Sequence, residues 1–193
     1  MKILVILGSP RKNGNSESVA RLVADQLQQN LGASVDVIRL ARHRIAPCIA
    51  CGGCAKTGLC VIEDDMGELY PVIDTADIIL LASPTYFYGL SAQTKEFIDR
   101  IQARWSRKYL LGIRLREQDR RRGYLICTAA TQGKRLFDGS ILVAKSFFDA
   151  IDVGYGGELL IRGVDEKGAV QTRPGEVQRA SDFARQITED FRS

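Results

Sequence analysis

Four cysteines lie between residues 48 and 60, reading Cys48-Ile-Ala-Cys51-Gly-Gly-Cys54 and then, after five more residues, Cys60. Structural zinc sites usually present two Cys/His pairs bracketing a longer spacer. Cysteines at consecutive three-residue spacing are instead typical of iron–sulfur ligation, where a short loop wraps one face of a cluster and its N–H groups bond to the sulfides. Gly52, Gly53 and Gly58 allow the tight left-handed turns that such a wrap needs. Cys48, Cys51, Cys54 and Cys60 are therefore read as ligands of one compact cluster. Structural zinc, a redox dithiol pair and a metal-free loop are the competing readings. The only histidine, His43, is read as a surface residue, and Cys127, alone in an apolar run, as a core residue.

A second group of chemistry-bearing residues is the stretch Gly8–Ser16, G-S-P-R-K-N-G-N-S. It follows the apolar run Lys2–Leu7 and precedes the amphipathic run Ser18–Leu31. A loop between a strand and a helix is an anion site, because its N–H groups and the positive end of the helix dipole face the same point. Ser9, Asn13, Asn15 and Ser16 are neutral donors, Arg11 and Lys12 are cations, and no carboxylate interrupts them. The ligand expected there is a phosphate. The competing reading is a polar turn in which Asn15 or Ser16 caps the helix. A third stretch, Ser83–Gly89, S-P-T-Y-F-Y-G, is read as a loop that concentrates Tyr86, Phe87 and Tyr88. A planar ring can lie against it while the backbone of Pro84–Tyr88 meets its polar edge. Phosphate at one loop and a flat heteroaromatic at the next describe a mononucleotide such as FMN.

The elements that must position these groups follow from periodicity. Lys2–Leu7, Asp77–Ala82 and Tyr124–Ala130 are apolar nearly throughout, as strands buried on both faces are, while Ser34–Leu40 is more mixed and belongs nearer an edge. Tyr155–Ile161 is a fifth strand. Helical spacing marks residues 16–31, 64–76, 91–105 (with Phe97, Ile98, Ile101 and Trp105 inward), 140–151 and 174–191. Ala41–Ile62 has no periodicity and is a long cysteine-bearing loop. Strands alternating with helices give a parallel sheet covered on both faces. The winding that fits is a flavodoxin-like α/β/α sandwich, a five-stranded parallel sheet of order 2-1-3-4-5, forming one domain over residues 1–193. That order brings the Gly8–Ser16 and Ser83–Gly89 loops together at the switch point, with Thr131–Gly133 on the third side. A dinucleotide fingerprint G-x-G-x-x-G is absent.

Composition bounds the partners. The net charge of +4 is concentrated in the basic segment 104–122. The segment lacks interleaved aromatics, so it is read as a solvated basic face, or next as a docking surface for an acidic redox partner, and nucleic acid is not expected. The first residues are too short for a signal sequence and no apolar run is long enough to span a bilayer, which points to a cytoplasmic protein without a membrane partner.

Taken together, the stretches G-S-P-R-K-N-G-N-S, C-I-A-C-G-G-C-A-K-T-G-L-C-V-I-E-D-D-M, S-P-T-Y-F-Y-G-L-S-A-Q-T-K-E-F-I-D-R and T-A-A-T-Q-G-K-R-L-F-D-G resemble the NADPH-dependent FMN reductase and iron–sulfur flavoprotein family. The resemblance implies an FMN-binding, flavin-dependent oxidoreductase. It places the FMN phosphate on Ser9, Arg11, Asn13, Asn15 and Ser16, and the isoalloxazine ring against Pro84, Thr85, Tyr86, Phe87 and Gly89, with Thr131, Gln132 and Gly133 at its far side. It assigns a [4Fe–4S] cluster to Cys48, Cys51, Cys54 and Cys60, and implies a homodimer or homotetramer. NAD(P)H is the implied electron donor, and a ferredoxin-like protein is a further candidate partner. The other readings are a cluster-free NAD(P)H-dependent FMN or quinone reductase, and a non-enzymatic flavin carrier. No general acid or base is named.

Overall fold

The computed structural model describes residues 1–116 and 120–192. In chain order it comprises β1 (Lys2–Leu7), α1 (Asn15–Leu31), β2 (Ser34–Arg39), a 3₁₀ turn (Leu40–Arg42), α2 (Cys54–Thr57), α3 (Met66–Thr75), β3 (Ile78–Tyr86), β4 (Gly89–Leu90), α4 (Ala92–Arg100), α5 (Gln102–Tyr109), β5 (Arg122–Thr128), α6 (Asp138–Ala150), β6 (Gly154–Ile161) and α7 (Pro174–Arg192). The parallel strands run β2-β1-β3-β5-β6, the expected winding, and β4 adds a short antiparallel partner to β3. β2 is an edge strand and is largely exposed, as its mixed composition requires.

Alternate residues of each central strand feed two cores. Leu4, Ile6, Ile79, Leu81, Leu125 and Cys127 pack with α3 to α6, whereas Ile3, Val5, Leu7, Leu80, Tyr124 and Ile126 pack with α1 and α7. This is why the strands read as continuous apolar runs rather than alternating ones. Cys127 is buried as expected, and burial pushes its thiol up to about 12.

Three expectations need correction. First, Ser83–Gly89 is not simply a loop. β3 continues through Tyr86 because Ser83 and Pro84 still pair with Cys127 and Thr128 of β5. It then reverses through Phe87 and Tyr88 into β4. Second, the helix expected over 91–105 breaks at Ile101, after which α5 starts. Trp105 is consequently 38% exposed rather than inward, and its ring packs on Tyr109. Third, the basic segment is only in part a solvated face: Arg114, Arg120 and Arg122 are exposed, but others are not. Arg104 is buried and holds Asp74 at 2.6 Å, Lys108 meets Asp149 at 2.9 Å, and Arg116 meets Asp77 at 2.7 Å. Arg121 is buried and donates to the carbonyls of Ala76 and Ile151. Residues 117–119 of that segment lie outside the described residues. Among the described residues, no helix is long and apolar enough to cross a membrane.

Candidate functional site

The ends of β1 and β3 lie side by side: Leu7 pairs with Ala82, and the Gly8 N–H donates to the Ala82 carbonyl at 2.8 Å. The chain therefore leaves both strands into one crevice at the carboxyl edge of the sheet. A buried hydroxyl cluster locks the two exits together. Ser91 Oγ donates to the Gly8 carbonyl at 2.6 Å, its N–H donates to Ser83 Oγ at 3.0 Å, and it lies 2.8 Å from Thr94 Oγ1.

Beside this lock, Ser9, Arg11, Gly14, Asn15 and Ser16 line a cleft with Pro84, Thr85 and Tyr86, with Thr128, Ala129 and Ala130 at the end of β5, and with Val164, Asp165 and Lys167. Its enclosed part is about 100 Å³, room for a phosphate group, while Tyr86, Phe87 and Tyr88 form exposed surface beyond it. Neither Asn15 nor Ser16 caps α1. The cap is Gly14, which offers no side-chain acceptor, so the first N–H groups of the helix are left for an anion. A Cβ at Gly14 would come within 3.2 Å of Ser9 Oγ and 3.3 Å of the Arg11 carbonyl, which explains the glycine sterically.

Several expected phosphate ligands also have structural partners. Arg11 donates to the Asp165 carbonyl at 3.3 Å. Asn15 Nδ2 donates to the Glu166 carbonyl at 2.9 Å, and its Oδ1 accepts the Val170 N–H at 3.2 Å, tying the loop to the segment after β6. Asn13 does not line the cleft; it has a φ of 57° and its N–H donates to Glu17 at 2.6 Å. Glu17 escaped the sequence reading although an acid three residues after the cap was a visible signal. Its side chain is 1% exposed and pairs with Arg39 and Arg21. Burial pushes its carboxyl up, but the hydrogen bonds from Arg39, Arg21 and the Asn13 N–H outweigh that and hold it down at about 2.

On the ring side, Phe87 and Tyr88 have φ of 48° and 65°, as a two-residue primed hairpin turn requires, and Phe87 is fully exposed. A side chain at Gly133 would meet the Tyr88 hydroxyl at 3.6 Å, so the hairpin and the 131–133 loop are neighbours. Phe87, Gly89, Thr131, Gln132 and Gly133 lie outside the enclosed cleft. Thr85 Oγ1, which is buried in its lining, lacks a hydrogen-bond partner of good geometry. An uncapped helix terminus, flanking hydroxyls and an arginine, an unpartnered buried hydroxyl and adjacent open aromatics together suit a phosphorylated flavin.

All four clustered cysteines line a second cavity, of about 380 Å³, beside α4 and α5. Cys48 and Cys51 are exposed, while Cys54 and Cys60 are half-buried against the core. Ala50, Gly52 and Gly58 have φ of 52°, 72° and 69°, the left-handed turns expected of a wrapping loop. Gly53 is the correction: its backbone is right-handed, and a Cβ there would strike Val61 at 2.6 Å. His43 is turned elsewhere, 3.4 Å from Asp65. Among the described residues no three His, Cys, Asp or Glu side chains converge to hold a single metal ion. Four thiols around one volume are the donor set that thiolate-ligated metal centres use.

One arginine ties this loop at both ends. The Arg100 side chain is fully buried; its guanidinium donates to the Ala46 carbonyl at 2.8 Å, to the Ile62 carbonyl at 3.3 Å, and to both oxygens of Asp64. Ala46 precedes the first clustered cysteine and Ile62 follows the last.

Comparison with known proteins identifies the family. A family model described as NADPH-dependent FMN reductase matches residues 1–131. An iron–sulfur flavoprotein of Archaeoglobus fulgidus is 41% identical over 101 residues, 52% of this chain and 46% of that protein. One of Methanocaldococcus jannaschii is 38% identical over 118 residues, 61% of this chain and 58% of that protein. The chain thus spans about half the length of the curated relatives it matches. Among solved structures, the NAD(P)H:quinone oxidoreductase from Methanothermobacter marburgensis superposes with a TM-score of 0.66 at 18% identity, covering 97% of this chain and 96% of that one. The flavodoxin of Streptococcus pneumonia TIGR4 superposes with a TM-score of 0.58 at 16% identity, covering 98% and 99%. Both likenesses speak to the fold.

Proposed function

The chain belongs to the NADPH-dependent FMN reductase family, and from that premise we propose that it is an FMN-dependent electron-transfer oxidoreductase of the iron–sulfur flavoprotein type. The observation that carries the finer reading is that Cys48, Cys51, Cys54 and Cys60 all line one cavity. The names of relatives 38–41% identical to this chain support that reading.

When bound, FMN supplies hydride and single-electron chemistry, and a [4Fe–4S] cluster on the four cysteines supplies one-electron chemistry. The protein's own task is placement. Ser9, Arg11, Ser16 and the first N–H groups of α1 bind and orient the phosphate, with Asn13 and Asn15 holding the loop in shape. Pro84, Thr85 and Tyr86 set the inner edge of the ring, and Phe87, Gly89, Thr131, Gln132 and Gly133 border its outer side. The buried hydroxyl lock fixes the two strand exits under the ligand, and an electron donor such as NAD(P)H reaches the ring at the open aromatic end. The exposed Ile49, Leu59, Val61 and Leu110 around or beside the cysteine cavity suit contact with another subunit or a ferredoxin-like protein, in a cytoplasmic homodimer or homotetramer.

Anaerobic purification followed by absorption, flavin, iron and sulfide analysis tests this reading. FMN with about four irons and four sulfides per chain is expected. Cys51→Ser removes the iron and leaves the flavin. Flavin without iron in the unsubstituted protein overturns the cluster assignment in favour of a cluster-free NAD(P)H-dependent FMN or quinone reductase.

A further inference from the structure

The cysteine cavity contains a cationic group with an unused donor. Arg100 lines that cavity and its side chain is fully buried. Four of its hydrogen bonds are accounted for by Ala46, Ile62 and Asp64, all made through the terminal nitrogens. Nε is buried and has no hydrogen-bond partner. A buried N–H on a charged group left without an acceptor is costly. Native interiors rarely leave one without a ligand or functional reason.

Cys60 lines the same cavity and is half-buried against the core, whereas Cys48 and Cys51 are exposed. The carbonyl that Arg100 holds at Ile62 lies two residues after Cys60, so the guanidinium reaches the buried end of the thiol set.

We propose that Arg100 is a positioning residue for the cysteine cavity, whose terminal nitrogens clamp both ends of the loop and whose unused, buried Nε–H donates to a ligating sulfur held there. This rests on the cluster reading above. A hydrogen bond and a positive charge at a ligating sulfur favour the more negative, reduced state of a cluster and raise its potential. Arg100 therefore biases electrons toward the cluster.

The test is a redox titration of the anaerobically purified protein followed by electron paramagnetic resonance, comparing the unsubstituted chain with Arg100→Lys and Asp64→Asn. Arg100→Lys keeps a positive charge but has no Nε–H. Asp64→Asn loosens the same clamp and leaves Nε in place. The expected result is a more negative cluster potential in Arg100→Lys and no negative shift in Asp64→Asn, with flavin content unchanged in both. Loss of iron from Arg100→Lys while Asp64→Asn keeps it also supports the assignment. An unchanged potential in Arg100→Lys with iron retained overturns it and leaves the cluster reading intact, as does a negative shift or a loss of iron common to both variants. Absence of iron from the unsubstituted protein removes the cluster reading itself, and this inference with it.

Discussion

The carboxylate of Glu17 and the guanidinium of Arg39 form a buried pair beneath the 8–16 loop, joining the first turn of α1 to the end of edge strand β2. The same carboxylate accepts the N–H of Asn13, so the pair reaches the loop backbone directly. A negative group this near an anion site is tolerable because two arginines share its charge. It turns one loop N–H inward and thereby fixes which others remain for the phosphate.

The pair makes stability acid-sensitive. The folded carboxyl titrates at about 2 against an ordinary 4.5. A depressed pKa adds stability that is complete above about pH 5 and is lost as the pH falls toward 2, by about 3 kcal/mol in all. Urea unfolding of the unsubstituted protein should show that loss. Glu17→Gln should be less stable at pH 7 and should lack this slope, and its FMN affinity should fall as the loop loosens.

Gly8 is where the two loops touch. A Cβ there would lie 1.8 Å from Thr94 Oγ1 and 3.2 Å from the Ala82 carbonyl. Gly8→Ala should therefore cost about 1–3 kcal/mol by forcing the hydroxyl lock apart. Thermal denaturation reads the loss, and flavin titration should show weaker FMN binding because the phosphate loop and the β3 exit no longer share a register.

The turn at Phe87 and Tyr88 carries two bulky residues in the left-handed region. Such backbone costs about 1–3 kcal/mol per residue and is retained where the side chain has a use. Phe87 is fully exposed, so it contributes little packing within this chain in return. Phe87→Gly should raise the Tm of the flavin-free protein by a few degrees, since about 1 kcal/mol is worth roughly 2–4 °C at this size. The same variant should bind FMN less tightly. An increase in both would remove Phe87 from the ring site.

Arg121 holds the N-terminal edge of the sheet. It is 1% exposed and donates to the carbonyls of Ala76, Ile151 and Ile73, at the ends of α3 and α6. Arg121→Met leaves those buried acceptors without this donor, at roughly 1–3 kcal/mol each before relaxation. Equilibrium unfolding should show a loss of about 3 kcal/mol or more, with little change in FMN affinity because the flavin cleft lies at the opposite edge.

Some of this was readable along the chain and some was not. Strand runs such as Ile78–Leu81, the left-handed stop at Gly32 and the burial of Cys127 follow from composition and local period alone. The break at Ile101 did not, because the residues on both sides of it have helical spacing and the choice between one helix and two is made by what each face packs against. The ion pairs of the basic segment were hidden for a related reason: Asp74, Asp77 and Asp149, which meet Arg104, Arg116 and Lys108, are remote in sequence.

By itself the sequence determined the winding of the sheet, the placing of a polar loop and an aromatic turn at its switch point, and a thiol set whose spacing calls for a wrapping loop. The elements and residue types are properties of local period, and the general winding rules for parallel sheets carry them the rest of the way. Only the tertiary structure decided that Glu17 disciplines the phosphate loop, that Ser91 joins it to β3, and that Arg100 clamps the cysteine loop at Ala46 and Ile62 with Nε to spare. Each of these depends on a buried polar group finding its partner across the fold. Which partner that is follows from where the packed layers bring the chain together, and the spacing of residues along it does not contain that information.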